Sequence, residues 1–335
     1  MKSTITIGVE TASHVAQTVL HRAGVPPGNA AVQTELLIEA ELRGRASHGL
    51  LRLPRIVERI ANGVIDPVTR GESHWKKEAL LEVDGMRGLG PVVAFRALEQ
   101  IGERAAKTGV AAAVIRNNNH IGMLALYAEH VARRGQALIG LSTSEALVHP
   151  WGGRRAMLGT NPIAIGVPAE PAPFVMDMAT GLISMGKVHD YAHRNLPLEP
   201  GWALDAEGEP TVDAQAAKQG AIAPFGQAKG YALGLAFEVL VGSLTASAMG
   251  REVQGTLDST QVCNKGDVFI VMEPASGVGA AVAAYLDEIR RCTPAKADAP
   301  VVVPGDGARR RRAANVERGI SMATDVWNTL ERLAA

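Results

Sequence analysis

Apolar residues in the first 60 positions recur at helical spacing, and further along they form short runs that alternate with helical segments. Three helices are predicted near the start, over 12–19, 30–45 and 54–62. Strands are predicted at 80–84, 110–115, 138–142, 163–167, 174–178 and 268–272. Further helices are predicted at 91–107, 123–134, 230–248 and 280–291, and a charged helix with a break at Gly319 is predicted over 309–333.

This order of elements predicts an α/β fold. Strands separated by helices commonly form a parallel sheet. The strands between residues 140 and 178 have little helix between them, so the sheet is expected to be mixed. The helices of the two chain ends, residues 1–75 and 307–335, are expected to form one domain beside a mixed α/β domain of residues 76–306.

A glycine-rich turn, Gly88-Leu89-Gly90, follows one predicted strand and opens a helix. It imitates the dinucleotide fingerprint G-x-G-x-x-G, but Val93 stands at the third glycine position. The next predicted strand, with the residues up to 117, carries no carboxylate to bind a ribose. The turn is therefore interpreted as structural, and no Rossmann domain is predicted.

Composition narrows the possible functions. The chain has 335 residues with 34 basic and 34 acidic side chains, so it lacks the positive field typical of nucleic-acid binders. Its two cysteines cannot form a disulfide framework, and no signal peptide is evident, so a cytoplasmic location is expected. The apolar stretch 232–250 contains Glu238 and is predicted to be a buried helix rather than a membrane span.

Candidate chemistry is concentrated in Ser47-His48-Gly49 and Arg52. If this segment is helical, His48 and Arg52 share a face at i and i+4. Histidine exchanges a proton near neutral pH, and arginine grips a carboxylate through two hydrogen bonds. A structural histidine beside a surface arginine is an equally good interpretation of the pair alone, and Gly49 and Pro54 argue against a continuous helix.

Four other segments place polar residues or glycine at the ends of predicted elements: 117–122, 159–162, 174–180 and 226–230. Such positions commonly face a ligand crevice, although each segment alone is also typical of an ordinary loop, turn or cap. His189 and His193 have the spacing of a helical metal pair. They lack the glutamate of a zincin motif and an evident third ligand, so a solvated helix face is favoured over a metal-dependent hydrolase.

Taken together, these segments resemble the type 2 malate/L-lactate dehydrogenase family, which is unrelated to the Rossmann-fold lactate and malate dehydrogenases. The resemblance covers nearly the whole chain. It rests on Ser47-His48-Gly49 with Arg52, Asn119-His120-Ile121-Gly122, Gly159-Thr160-Asn161-Pro162, Met176-Asp177-Met178-Ala179-Thr180, Lys229-Gly230 and Val303-Pro304-Gly305-Asp306, in this order. It implies a non-Rossmann, mixed-sheet domain that binds NAD or NADP, and a homodimer.

The resemblance also implies roles for individual residues. His48 is the expected general acid/base with Ser47 beside it, although one assignment within the family gives the proton to the position of His120. Arg52 is expected to hold the substrate carboxylate, and Asp177 either orients His48 or binds cofactor. Substrate contacts are expected from Thr143, Thr160 and Lys187. Cofactor contacts are expected from His120, Ser144, Thr160, Asp177, Met178, Ala179, Lys229 and Gly305, with no metal.

The implied activity is hydride transfer between NAD(P) and C2 of a small 2-hydroxy or 2-oxo acid of the malate, lactate or sulfolactate type. Reduction of a cyclic imino acid is the alternative. Because the imino-acid reductases are expected to carry an acidic residue near Lys187, the lysine favours hydroxy acids or a substrate with a second negative charge. A ligand-binding relative without catalysis is a different class of function, which the joint presence of Ser47, His48, Arg52, Asp177 and Lys229 argues against.

Overall fold

The computed structural model describes residues 3–335. Its helices are α1 Val9–Arg22, α2 Pro27–Leu42, α3 Leu53–Ala61, α4 Gly90–Thr108, α5 Ala125–Arg133, α6 Met185–His193, α7 Ala214–Ala217, α8 Ala228–Thr245, α9 Val278–Arg291, α10 Asp306–Arg318 and α11 Thr324–Ala334. Its strands are β1 Thr4–Ile7, β2 Glu72–Lys77, β3 Leu80–Asp84, β4 Val110–Arg116, β5 Ala137–Ser142, β6 Ile163–Val167, β7 Phe174–Met178, β8 Ala203–Leu204, β9 Pro210–Thr211, β10 Ala221–Ile222, β11 Asp267–Met272 and β12 Ile320–Ala323.

A seven-stranded sheet in the order β2-β3-β4-β11-β5-β6-β7 forms the centre of the molecule. Strands β3 and β4 run parallel, and every other neighbouring pair in this sheet is antiparallel. In β11 the fully buried Phe269 lies opposite Ala113 and Gly140, whose small size leaves room for its ring. The predicted α/β fold with a mixed sheet is confirmed.

The two chain ends pack together. Strand β1 pairs antiparallel with β12, with Thr4 opposite Ala323. Buried residues of α1, α2 and α11 share one hydrophobic cluster, which contains Leu20, Leu37 and Trp327. The prediction of helix through 320–323 is wrong. A strand of four residues gives almost no periodic signal, and its partner lies at the opposite end of the chain.

A short three-stranded sheet, β10-β8-β9, lies outside the central sheet and packs with α6 and α7. Neither this sheet nor β2 is among the predicted elements, because two-residue strands and polar edge strands carry little pattern.

Helix α8 differs from its prediction as a buried helix. Gly234, Glu238 and Val241 are buried, whereas Leu235 and Val239 on the other side are 38% and 53% exposed. Glu238 accepts hydrogen bonds from the backbone N–H groups of Gly159 and Gly250, at 3.1 and 2.7 Å.

No helix in residues 3–335 combines the length and apolar character needed to cross a bilayer.

Candidate active site

A cavity of about 1150 Å³ opens between the segment around His48 and the strand ends of the central sheet. Its walls come from the turns around Ser47 and Arg52, the loops that follow β4, β5 and β7, the loop at Thr256, and α11. It therefore collects residues from both chain ends and from the sheet at one crevice.

Two short 3-10 turns, Ala46–His48 and Leu50–Arg52, carry the predicted acid/base residue and the predicted carboxylate ligand. Gly49 between them is extended, so the continuous helix considered for this segment does not form. His48 and Arg52 nevertheless both line the cavity. A Cβ on Gly49 would lie 2.8 Å from Cγ of Glu41 and still closer to its carboxylate, which explains the glycine by close approach.

His48 is held from one side of its ring. Its Nδ1 lies 3.0 Å from the Ser47 hydroxyl, and Nε2 has no hydrogen-bond partner among residues 3–335. Burial, followed by the charges of Arg52 and Arg45, lowers the pKa of His48 to about 4. The imidazole is therefore neutral at pH 7 and its Nε2 is available to a ligand.

His120 stands beside it, with the two ring centroids 5.4 Å apart. The backbone N–H of Gly122 donates to Nδ1 of His120 at 3.1 Å, which assigns its proton to Nε2. Burial, followed by the charges of Arg52 and neighbouring groups, lowers the pKa of His120 well below its ordinary value. The site thus contains a second neutral imidazole whose Nε2–H can donate a hydrogen bond.

Arg52 is oriented by two backbone carbonyls. Its Nε donates to Ser47 at 2.8 Å, and one terminal nitrogen donates to Thr256 at 3.2 Å. Thr256 is in turn fixed by Glu145, which accepts hydrogen bonds from its backbone N–H at 2.7 Å and its hydroxyl at 3.1 Å. Burial lowers the pKa of Arg52 to about 10, so it stays charged at pH 7 and keeps N–H groups for an anion.

Asp177 lies where β7 ends. Its carboxylate accepts a hydrogen bond from the backbone N–H of Ala125 at 2.8 Å, at the start of α5, and no hydrogen bond joins it to His48 in the described chain. Burial raises its pKa. The sequence left two roles open for Asp177, which were to orient His48 or to bind cofactor. In the described chain, no hydrogen bond exists through which Asp177 would orient His48 directly.

The remaining predicted residues fall into two groups. The cavity is lined by Thr143, Ser144, Thr160, Met178 and Ala179. Ser144 and Thr160 are linked, because the backbone N–H of Thr160 donates to the Ser144 hydroxyl at 3.0 Å. Lys187, Lys229 and Gly305 do not line it.

Lys187 directs its ammonium over the ring of Trp202, 4.2 Å from the ring centroid. Lys229 is exposed in the first turn of α8. Gly305 has a φ of 93°, and a Cβ there would lie 2.7 Å from the carbonyl oxygen of Val175. It therefore adjoins β7.

Several residues that line the cavity were missed by the sequence argument: Arg45, Arg55, Glu145, Thr256 and Lys265. Lys265 is 2% exposed and pairs with the fully buried Asp267 at the start of β11. Asp267 also accepts a hydrogen bond from the Ser142 hydroxyl at 2.7 Å. A polar pair at the start of an apolar strand could have signalled this network, whereas nothing in the sequence singles out Thr256.

His189 lines the cavity but His193, on the same helix α6, does not. Within the described residues, no three histidine, cysteine or acidic side chains are grouped as metal ligands.

A family model described as malate/L-lactate dehydrogenase matches residues 7–331. The chain belongs to this family. The resemblance predicted from the sequence motifs is thereby confirmed.

Relatives within the family include L-sulfolactate dehydrogenase of Methanothermobacter thermautotrophicus, 32% identical over 93% of this chain and 92% of that protein. The (2R)-3-sulfolactate dehydrogenase (NADP(+)) of Chromohalobacter salexigens is 33% identical over 94% of this chain and 93% of its own length. A crystal structure of a dehydrogenase from Sinorhizobium meliloti superposes with a TM-score of 0.96 and 48% identity, covering 100% of this chain and 99% of that one.

Proposed function

We propose that this chain is an NAD(P)-dependent oxidoreductase that transfers hydride between nicotinamide and C2 of a small 2-hydroxy or 2-oxo carboxylic acid. One observation carries the proposal: an oriented arginine lines the same cavity as two neutral imidazoles, whose Nε2 atoms have no hydrogen-bond partner within residues 3–335. A carbonyl beside a carboxylate requires such a set, since one group must exchange a proton and another must bind the acid.

The cavity fits a dinucleotide together with a small acid. Its volume of about 1150 Å³ exceeds the roughly 300–1,000 Å³ of ordinary small-molecule pockets. The cavity residues that would hold the cofactor are Ser144, Asp177, Met178 and Ala179, with His120 at the reacting end. Gly305 and Lys229 do not line the cavity and would contact a part of the cofactor that extends beyond it. When bound, the nicotinamide supplies or accepts the hydride at C2.

His48 is the proposed proton donor for reduction and the base for oxidation. Arg52 binds the C1 carboxylate and thereby presents one face of C2. Binding an anion on Arg52 neutralises a charge that lowers the pKa of His48, so substrate itself favours the protonated form that reduction requires. His120, with its proton on Nε2, donates a hydrogen bond to the C2 oxygen.

Reduction of a cyclic imino acid is the second candidate. The argument against it is that Lys187 stands near the point where imino-acid reductases are expected to carry an acidic residue. The Lys187 ammonium, however, lies over Trp202, and Lys187 does not line the cavity. A Delta(1)-pyrroline-2-carboxylate reductase of Pseudomonas fluorescens is 30% identical over 96% of each chain. Pyrroline-2-carboxylate therefore belongs in the same substrate screen.

The deciding experiment measures oxidation of NADH and NADPH with pyruvate, oxaloacetate, 3-sulfopyruvate and pyrroline-2-carboxylate. His48→Ala should lower kcat by about 10²–10⁴-fold while cofactor still binds. His120→Gln, which retains a side-chain donor, should lose less than His48→Ala. The reverse order would give the proton to His120, and no turnover of any of these acids would refute the proposed function.

We also propose that two copies of the chain associate through the exposed side of α8. Leu233, Leu235, Val239, Leu240 and Leu244 on this helix are each at least 38% exposed. Contiguous apolar surface of this kind is typical of an interface. Val239→Glu should convert a dimer into a monomer in light scattering, whereas Val316→Glu, at an exposed valine of α10, should leave the mass unchanged.

A further inference from the structure

Arg55, in the first turn of α3 and three residues after Arg52, lines the cavity. It is half-buried, and no acceptor within residues 3–335 takes a hydrogen bond or ion pair from it. The acid one turn further on, Glu58, accepts from the Ser259 hydroxyl at 2.7 Å instead. The Arg55 guanidinium therefore lines the cavity with donors that the described protein does not use, and such a group can bind an anionic ligand.

The neighbouring arginine of the same helix shows the contrast. Arg59 is buried, and its two terminal nitrogens donate to the Asp258 carbonyl at 2.7 Å and to the Asn119 side chain at 2.9 Å. Arg59 therefore joins the walls of the site, whereas no acceptor in the described part of the chain takes an N–H group of Arg55.

Arg55 carries the same positive charge as Arg52, and the two side chains line the same cavity. After burial, its charge is the next cause that lowers the pKa of Arg52, and it also lowers the pKa of His120. Two guanidinium groups that line one cavity repel each other, and an anion bound between them relieves this repulsion. A single carboxylate on Arg52 neutralises one charge and leaves the second uncompensated.

The other two cations that line the cavity besides Arg52 and Arg55 are Lys265 and Arg45, and neither is available to an anion beside Arg52. Lys265 is paired with Asp267. Arg45 is exposed, and its charge acts on the pKa values of His48 and Asp177, on the side of β7. Arg55 acts on Arg52 and His120. Of the cations that line the cavity in the described chain, Arg55 is thus the one that has no protein partner and acts on Arg52, the proposed carboxylate ligand.

We propose that Arg55 binds the second anionic group of a dianionic 2-oxo acid and sets the preference of this enzyme for dianions over monoanions. The assignment rests on the proposed function, because Arg52 must hold the C1 carboxylate. The guanidinium fork fits a distal carboxylate or sulfonate through paired N–H···O bonds, so the shared chemistry is a short-chain 2-oxo acid with an oxyanion at its far end.

The test compares wild type with Arg55→Met on oxaloacetate, 3-sulfopyruvate and pyruvate, each with the better nicotinamide cofactor. Loss of a charge-assisted hydrogen-bond pair should lower kcat/KM for both dianions by roughly 10- to 100-fold, mainly through KM. Pyruvate should change by less than about threefold, because it has no second anion to lose. Arg55→Lys should recover part of the dianion activity by keeping the charge.

Arg45→Met is the matched control inside the cavity, and Arg134→Met, at an exposed arginine after α5, is the control outside it. Both should leave the oxaloacetate-to-pyruvate ratio unchanged. An equal loss on all three acids in Arg55→Met, or a selective loss in Arg45→Met, would overturn the assignment. Wild type that reduces pyruvate alone would keep the proposed function and refute the role of Arg55, while no turnover at all would refute both.

Discussion

Gly49→Ala tests whether close packing at the glycine between the two 3-10 turns holds His48 and Arg52 in position. The φ of Gly49 is −95°, which alanine adopts freely, so the backbone conformation itself is not the obstacle. The obstacle is Glu41, whose Cγ would lie 2.8 Å from the new Cβ, with its carboxylate closer still. Glu41 is 6% exposed, and its carboxylate accepts the Leu50 N–H at 2.8 Å.

The magnitude follows from these contacts. Overpacking a dense site costs about 1–3 kcal/mol. Displacing the Glu41 carboxylate also leaves the buried N–H of Leu50 unpaired, at about 1–3 kcal/mol. We expect a loss of about 2–6 kcal/mol in the free energy of unfolding, from a total that is typically about 5–15 kcal/mol. Because the turns shift relative to each other, kcat/KM should fall by roughly 100-fold.

Urea unfolding and steady-state kinetics on the preferred 2-oxo acid measure both effects. The control is Gly28→Ala in α2, where a Cβ meets no atom within 4 Å and φ is not positive. It should unfold within about 1 kcal/mol of wild type and keep full activity. A Gly49→Ala protein that matches Gly28→Ala in both measurements would refute the packing argument.

Three further predictions concern the charged groups of the site. The folded-state pKa of His48, about 4, lies below its ordinary value of 6.5, so the unfolded chain binds that proton more tightly. The free energy of unfolding should therefore fall by up to about 3 kcal/mol as the pH decreases from 6.5 towards 4. His48→Ala should flatten this part of the pH profile measured by urea unfolding. Glu145→Ala frees the loop at Thr256 and should raise KM for the 2-oxo acid several-fold in steady-state kinetics with the cofactor Kd unchanged; a change confined to the cofactor would contradict this. Lys265→Met leaves the Asp267 carboxylate unpaired and should cost about 3–5 kcal/mol in denaturant unfolding, of which adding Asp267→Asn should restore a part; full stability of the single variant would contradict a buried ion pair.

Local pattern determined much of the fold. The predicted strand bounds at 80–84, 163–167 and 174–178 coincide with β3, β6 and β7. These strands are mostly apolar, so their signal lies within a few consecutive residues. Short strands with distant partners, such as β1 and β12, carry no such signal, because their pairing depends on contacts between residues about 320 positions apart.

The candidate site divides in the same way. Motif order pointed to His48, His120, Arg52 and Asp177, because each stands at the end of an element or in a recognisable short segment. Sequence alone could not state that the His48 and His120 rings lie 5.4 Å apart, since the two residues are 72 positions apart in the chain and several elements separate them. The distance between the two rings depends on how the segments that carry them pack against each other in the folded chain.

The sequence by itself determined the mixed α/β class, the family and the residue types available for proton exchange and carboxylate binding. The tertiary structure decided which of these residues share a cavity. It placed Lys187 on Trp202 and outside the cavity, and it brought Glu145, Thr256 and Arg55 to the site. The physical reason is that a side chain's chemistry is local, whereas its pKa, its partners and its access to a ligand depend on burial and charge from segments that only folding brings together.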